Sequence, residues 1–131
     1  MRIVILCPDG EHYVGAQENG LLYAQPTSAR CWEKFQLEEL SDGRFALKTI
    51  ECHPLPNQYV RAEAGGGGNL IADRTQPDEH EKFTLESLPE GRLAIRTVND
   101  LYWRADQSGG GALDCGATVP DAWEAFTIQL V

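Results

Sequence analysis

Three pairs of adjacent residues stand out for what their side chains could do together: Trp32-Glu33, His80-Glu81 and Trp123-Glu124. An aromatic ring offers a flat apolar face and a carboxylate offers hydrogen-bond acceptors. Side by side they suit a pyranose, whose apolar face stacks on the ring while its hydroxyls donate to the acid. Trp32, Glu33, His80, Glu81, Trp123 and Glu124 are therefore candidate carbohydrate-binding residues, with the imidazole of His80 making the middle pair the weak or different one. The glutamates admit a second reading, because each stands two residues before a phenylalanine and could instead brace a neighbouring turn by accepting its backbone N–H groups. Neither reading is catalytic. No nucleophile sits with a base, and the three acids belong to three separate segments, whereas a glycosidase needs two carboxyls about 5–10 Å apart. The chain is expected not to be an enzyme.

The pairs open three copies of one stretch: Trp32-Glu33-Lys34-Phe35-Gln36-Leu37, His80-Glu81-Lys82-Phe83-Thr84-Leu85 and Trp123-Glu124-Ala125-Phe126-Thr127-Ile128, spaced 48 and 43 residues apart. A period in this range marks supersecondary units that cannot bury their apolar faces alone and must pack together. Other landmarks keep the phase. Tyr13-Val14-Gly15-Ala16, Tyr59-Val60-Arg61-Ala62 and Tyr102-Trp103-Arg104-Ala105 mark one strand per repeat, with Leu22, Leu70 and Leu113 following. Gly43-Arg44-Phe45-Ala46-Leu47 and Gly91-Arg92-Leu93-Ala94-Ile95 mark another, matched at the N-terminus by Arg2-Ile3-Val4-Ile5. The repeats run over about residues 1–42, 43–90 and 91–131 of a single domain. Four short strands in each give about twelve, an all-β barrel or sandwich. Period-2 alternation then sends Glu33, Phe35 and Leu37 to the core side and turns Trp32 outward or into a groove. Trp103, alone where the other repeats have Val14 and Val60, reads as packing.

The turns carry familiar signals. Pro8-Asp9-Gly10 and Glu18-Asn19-Gly20 are tight turns, and Gly65 to Gly68 and Gly109 to Gly111 occupy the hairpin position of the latter. A phosphate-cradle reading of these glycines fails, since neither Lys-Ser/Thr nor a helix follows. No long helix is expected.

Composition narrows the function further. A net charge of −9 with only 11 basic residues argues against nucleic acid, actin filaments and anionic membranes as partners. The longest apolar run, Ile3 to Cys7, is far short of the roughly twenty residues that span a bilayer. Cys7, Cys31, Cys52 and Cys115 show no C-x-x-C pair and no close histidine, so neither a metal nor a cofactor is expected. An even count permits two disulfides in three pairings, but Cys115 stands where Ala24 and Ala72 stand in the other repeats, and free, partly buried thiols are the expectation.

The repeated Tyr-x-x-Ala, Glu-x-Phe-x-Leu/Ile and Gly-Arg-x-Ala-x-Lys/Arg-Thr strands resemble the fascin and hisactophilin group of β-trefoils along the whole chain. The resemblance implies a six-stranded barrel closed at one end by three hairpins, with pseudo-threefold symmetry. The Gln-x-Trp signature of ricin-type trefoil lectins is missing, so their sugar site does not carry over. With one aromatic and one carboxylate per repeat, the chain looks instead like trefoil modules that bind β-linked glucans. Two functions follow as expectations: a non-catalytic β-glucan-binding module or lectin with up to three Trp/His-Glu sites, and, as the alternative implied by the resemblance, an actin-binding cytoskeletal protein. A monomer is expected, extracellular if a module of a larger secreted enzyme and cytoplasmic if a complete chain.

Overall fold

The computed structural model describes residues Met1–Val131 and contains twelve β-strands, six short 3-10 turns and no α-helix. In chain order the strands are β1 (Arg2–Leu6), β2 (Gly15–Ala16), β3 (Leu22–Tyr23), β4 (Lys34–Glu39), β5 (Phe45–Thr49), β6 (Tyr59–Ala62), β7 (Leu70–Arg74), β8 (Thr84–Ser87), β9 (Leu93–Arg96), β10 (Tyr102–Ala105), β11 (Leu113–Ala117) and β12 (Thr127–Leu130). Strand β1 pairs antiparallel with β12 and β4, β4 with β5, and β8 with β9. The remaining two seams are single bridges, Phe45 with Phe83 and Leu93 with Phe126, each made of two reciprocal backbone hydrogen bonds of 2.7–2.8 Å. The six strands therefore close in the order β1-β4-β5-β8-β9-β12, and closure removes the unpaired edges that an open sheet would expose. The hairpins β2–β3, β6–β7 and β10–β11 cover one end. This is the β-trefoil expected from the repeats.

The core is built of threefold sets. Phe35, Phe83 and Phe126 are buried together with Ile5, Leu47 and Ile95 from the alternate barrel strands, and with Leu22, Leu70 and Leu113 from the hairpins. Leu37, Leu85 and Ile128 pack on this cluster from its rim. The set Val14, Val60 and Trp103 breaks the symmetry: Trp103 is fully buried and meets Phe83 edge to face at 5.2 Å. Its indole N–H has no acceptor, a cost of about 1–3 kcal/mol that the large ring must offset by packing.

The hairpin tips lock each other in a cycle. Ala72 N–H donates to Gly20 O, Cys115 N–H to Gly68 O, and Ala24 N–H to Gly111 O, so each tip holds the second strand of the next hairpin. Glycine is required where the approach is closest. At Gly20, with φ of +92°, an added Cβ would sit 2.6 Å from Ala72 O, a position no L-side chain can take. The position shared by Ala24, Ala72 and Cys115 lies inside this clasp, which explains why only small residues occur there.

The cysteines need a correction. Cys7 and Cys115 are free and buried as expected, but Cys31 and Cys52 form a disulfide with Cα atoms 6.0 Å apart. It ties the turn that carries Trp32 to the Glu51 to Gln58 connector between β5 and β6, across 21 residues.

Candidate functional site

Each repeated stretch begins as a 3-10 turn and not as a strand: Cys31–Glu33, Glu79–Glu81 and Ala122–Glu124. Strand alternation therefore does not apply to its first two residues, and the side-chain directions follow from the turn. In all three copies the glutamate bonds twice to the residue three places before it. The backbone N–H groups of Glu33, Glu81 and Glu124 donate to the carbonyls of Arg30, Asp78 and Asp121 at 3.1 Å. The carboxylates accept the N–H of the same residues at 2.8, 2.8 and 2.7 Å. The turn is closed from both sides, as in a capping box.

The three glutamates are accordingly buried, 5%, 3% and 5% exposed, and bracing the turn is a role the structure assigns them directly. Only one oxygen of each is used. No hydrogen bond engages the second oxygen, yet the sole sealed-off polar side-chain atom without a partner is the indole nitrogen of Trp103, so these second oxygens reach solvent. In the second and third repeats an arginine compensates the buried charge: Arg61, paired to Asp73 at 2.8 Å, lies in the field of Glu81, and Arg104, paired to Asp114 at 2.8 Å, in that of Glu124. Burial nevertheless pushes the Glu124 carboxyl above the usual carboxylate range. The first repeat has Gly15 in place of the arginine, and Glu33 Oε2 fills the space beside it: a Cβ on Gly15 would stand 3.0 Å away.

A shallow concavity adjoins each turn. Trp123 and Glu124 line one of about 430 Å³ with Arg104, Thr118, Val119 and Asp121. The Trp123 ring is 40% exposed there, and Val119 beside it is 53% exposed. His80 and Glu81 line a smaller polar one of about 320 Å³ with Arg74, Asp78 and Glu79, where His80 is exposed and no apolar side chain contributes. These two pairs stay together as the sequence suggested.

The first pair does not. Glu33 lines a concavity of about 330 Å³ with Tyr23, Gln25 and Arg30. Trp32 lines a separate groove of about 680 Å³ with Gln17, Glu18, Asn19 and Tyr23. Tyr23 is the one residue that lines both. Trp32 also packs against His53, with ring centroids 5.5 Å apart. His53 is itself fixed: its Nδ1 accepts the Leu55 N–H at 2.9 Å, and its Nε2–H donates to Ala16 O at 2.8 Å. Two bonds of opposite sense define the neutral imidazole in one tautomer. Tyr23 and His53 escaped the sequence reading. Tyr23 follows Leu22 in a short hairpin strand with no partner residue repeated in the other copies, and His53 lies in a Pro-containing connector where only the fold brings it against Trp32.

Asp9, Glu11 and His12 also converge, with ligand-type atoms within 4.8 Å. The Asp9 carboxylate accepts the backbone N–H groups of Glu11 and His12 and the His12 ring, so the cluster holds its own turn. Those hydrogen bonds outweigh burial and keep the Asp9 carboxyl below its ordinary value.

No protein-family model and no curated protein sequence matches the chain. Solved structures do. The chain is similar to the crystal structure of a designed 3-fold symmetric protein, ThreeFoil, with a TM-score of 0.83 and 12% identity over 99% of each chain. It is also similar to part of a mosquitocidal holotoxin, with a TM-score of 0.85 and 10% identity, covering 100% of this chain and 17% of that one. At such identities the likeness is one of fold, and it makes the protein a β-trefoil from end to end. The scaffold by itself does not dictate a function.

Proposed function

We propose that this protein is a non-catalytic carbohydrate-binding β-trefoil that takes β-linked glucans at up to three positions around its barrel, one beside each glutamate-closed turn. The observation that carries the reading is Trp123: a large aromatic residue left 40% exposed on a concave surface, in a fold that fully buries Trp103. A ring held out of the core next to uncommitted oxygen atoms suits a sugar face. In the second and third repeats, where the glutamate and the ring share a concavity, the glutamate serves twice, one oxygen shaping the turn and the other presented to the ligand. The second-repeat position, with His80 and no apolar wall, is the weakest. Each position is shallow, so single-site affinity is low, and a polymer gains by making the second and third contacts intramolecular.

Co-sedimentation of the protein with an insoluble β-glucan and with filamentous actin, side by side, tests the reading. Retention on the glucan alone is expected. The net charge of −9 opposes an acidic filament, and retention on actin with none on glucan would replace this function by the cytoskeletal alternative.

A further inference from the structure

The first repeat contains a groove lined, apart from Trp32, by residues that have no counterpart in the other two. Its walls are the Trp32 ring and Tyr23, and its remaining lining is Gln17, Glu18 and Asn19. In the second and third repeats glycine-rich tips replace the Glu18-Asn19-Gly20 turn, and Ile71 and Asp114 stand where Tyr23 stands, Asp114 being tied to Arg104. From this groove we infer that the first repeat binds a neutral pyranose between Trp32 and Tyr23, with Glu18, and not Glu33, as the carboxylate that accepts its hydroxyls. The inference rests on the glycan reading above and deepens it.

Three observations support it. First, the polar groups around the groove are unspent. The carboxylate of Glu18, the side-chain amide of Gln17 and the hydroxyl of Tyr23 make no hydrogen bond within the protein, and Asn19 uses only its Oδ1, accepting the Leu21 N–H at 3.0 Å, which leaves its amide N–H groups free. One acid, two amides and a phenol match the mixed donors and acceptors of sugar hydroxyls. By contrast, the exposed Glu79 at the second repeat is already engaged by Arg44 and Lys82.

Second, the Trp32 platform is prepared. His53 packs against the ring without lining the groove, is pinned through both nitrogens, and is flanked by the Cys31–Cys52 disulfide that anchors the same turn. A ring fixed before binding loses little rotamer freedom when a sugar stacks on it. Third, Glu18 is the only charged side chain lining the groove. An uncharged hexose is accepted, and a uronate is rejected by like charge.

The test reads the first repeat alone, in a His80→Ala/Trp123→Ala background titrated with a β-linked glucose oligomer while the Trp32 indole N–H is followed by NMR. A saturable shift is expected. Adding Tyr23→Ala or Glu18→Ala, the latter at an exposed turn position that leaves folding intact, should weaken binding by about tenfold. A glucuronate-containing oligomer should bind the background poorly and recover in Glu18→Gln. Unchanged affinity in both Tyr23→Ala and Glu18→Ala overturns the groove assignment. So does a Trp32 resonance that never moves while the unmutated protein is retained on glucan, an outcome that leaves the glycan reading standing. No retention of the unmutated protein removes both.

Discussion

Replacing Glu81 separates the two roles assigned to the buried glutamates. Its carboxylate accepts the Asp78 N–H at 2.8 Å and is 3% exposed. Glu81→Ala leaves that N–H without its acceptor in a site closed to water on one side, which costs about 1–3 kcal/mol. The lost hydrogen bond was charge-assisted, so the upper half of that range is expected. Glu81→Gln keeps an oxygen acceptor in place and should cost about 1 kcal/mol or less. For a chain of this length about 2 kcal/mol corresponds to a fall of roughly 8 °C in Tm. Urea denaturation gives both values through the midpoint at constant slope. The bracing argument is refuted if Glu81→Ala is neutral, or if Glu81→Gln is as damaging as Glu81→Ala. The same ordering should hold at Glu33 and Glu124, because the turn geometry repeats.

Two other expectations concern the rest of the scaffold. Removing the Cys31–Cys52 bridge by a double alanine substitution relaxes a 21-residue loop in the unfolded chain and should lower stability by about 3 kcal/mol with the trefoil retained; an unchanged denaturation midpoint would contradict the pairing. Alkaline stability should fall in a defined window. Burial, then the hydrogen bond to Glu38, pushes the Tyr59 phenol up from 10.0 to about 12, and burial, then the charge of Asp9, pushes the Cys7 thiol up from 9.0 to about 12. The folded state keeps these protons while the unfolded state loses them, so stability is full below about pH 9 and declines up to about pH 12. A stability that stays flat across that range, or a decline unaffected by Tyr59→Phe, would contradict the assignment.

The architecture was legible because each landmark occurs three times. The positions of Phe35, Phe83 and Phe126, of the hairpin leucines and of the small residue at Ala24, Ala72 and Cys115 confirm one another, so a repeat compensates for the ambiguity of any single short strand. The site was only half legible. Alternation places residues correctly inside β4, but Trp32 and Glu33 lie in a 3-10 turn, where adjacent side chains do not point to opposite faces of a sheet. Sequence adjacency thus suggested a shared pocket where the fold gives the two side chains separate concavities with only Tyr23 in common. The disulfide was hidden for a related reason: the pairing of Cys31 with Cys52 depends on where the Glu51 to Gln58 connector crosses the first repeat, and spacing alone does not contain that crossing.

We propose that β-glucan is bound by two indoles carried on glutamate-closed turns, the half-buried Trp32 and the exposed Trp123. The most direct measurement is the retention of Trp32→Ala/Trp123→Ala on an insoluble β-glucan beside the unmutated protein, with thermal unfolding of both. Loss of retention with cooperative unfolding of the trefoil preserved is the expected result, and equal retention of the two proteins would contradict the reading.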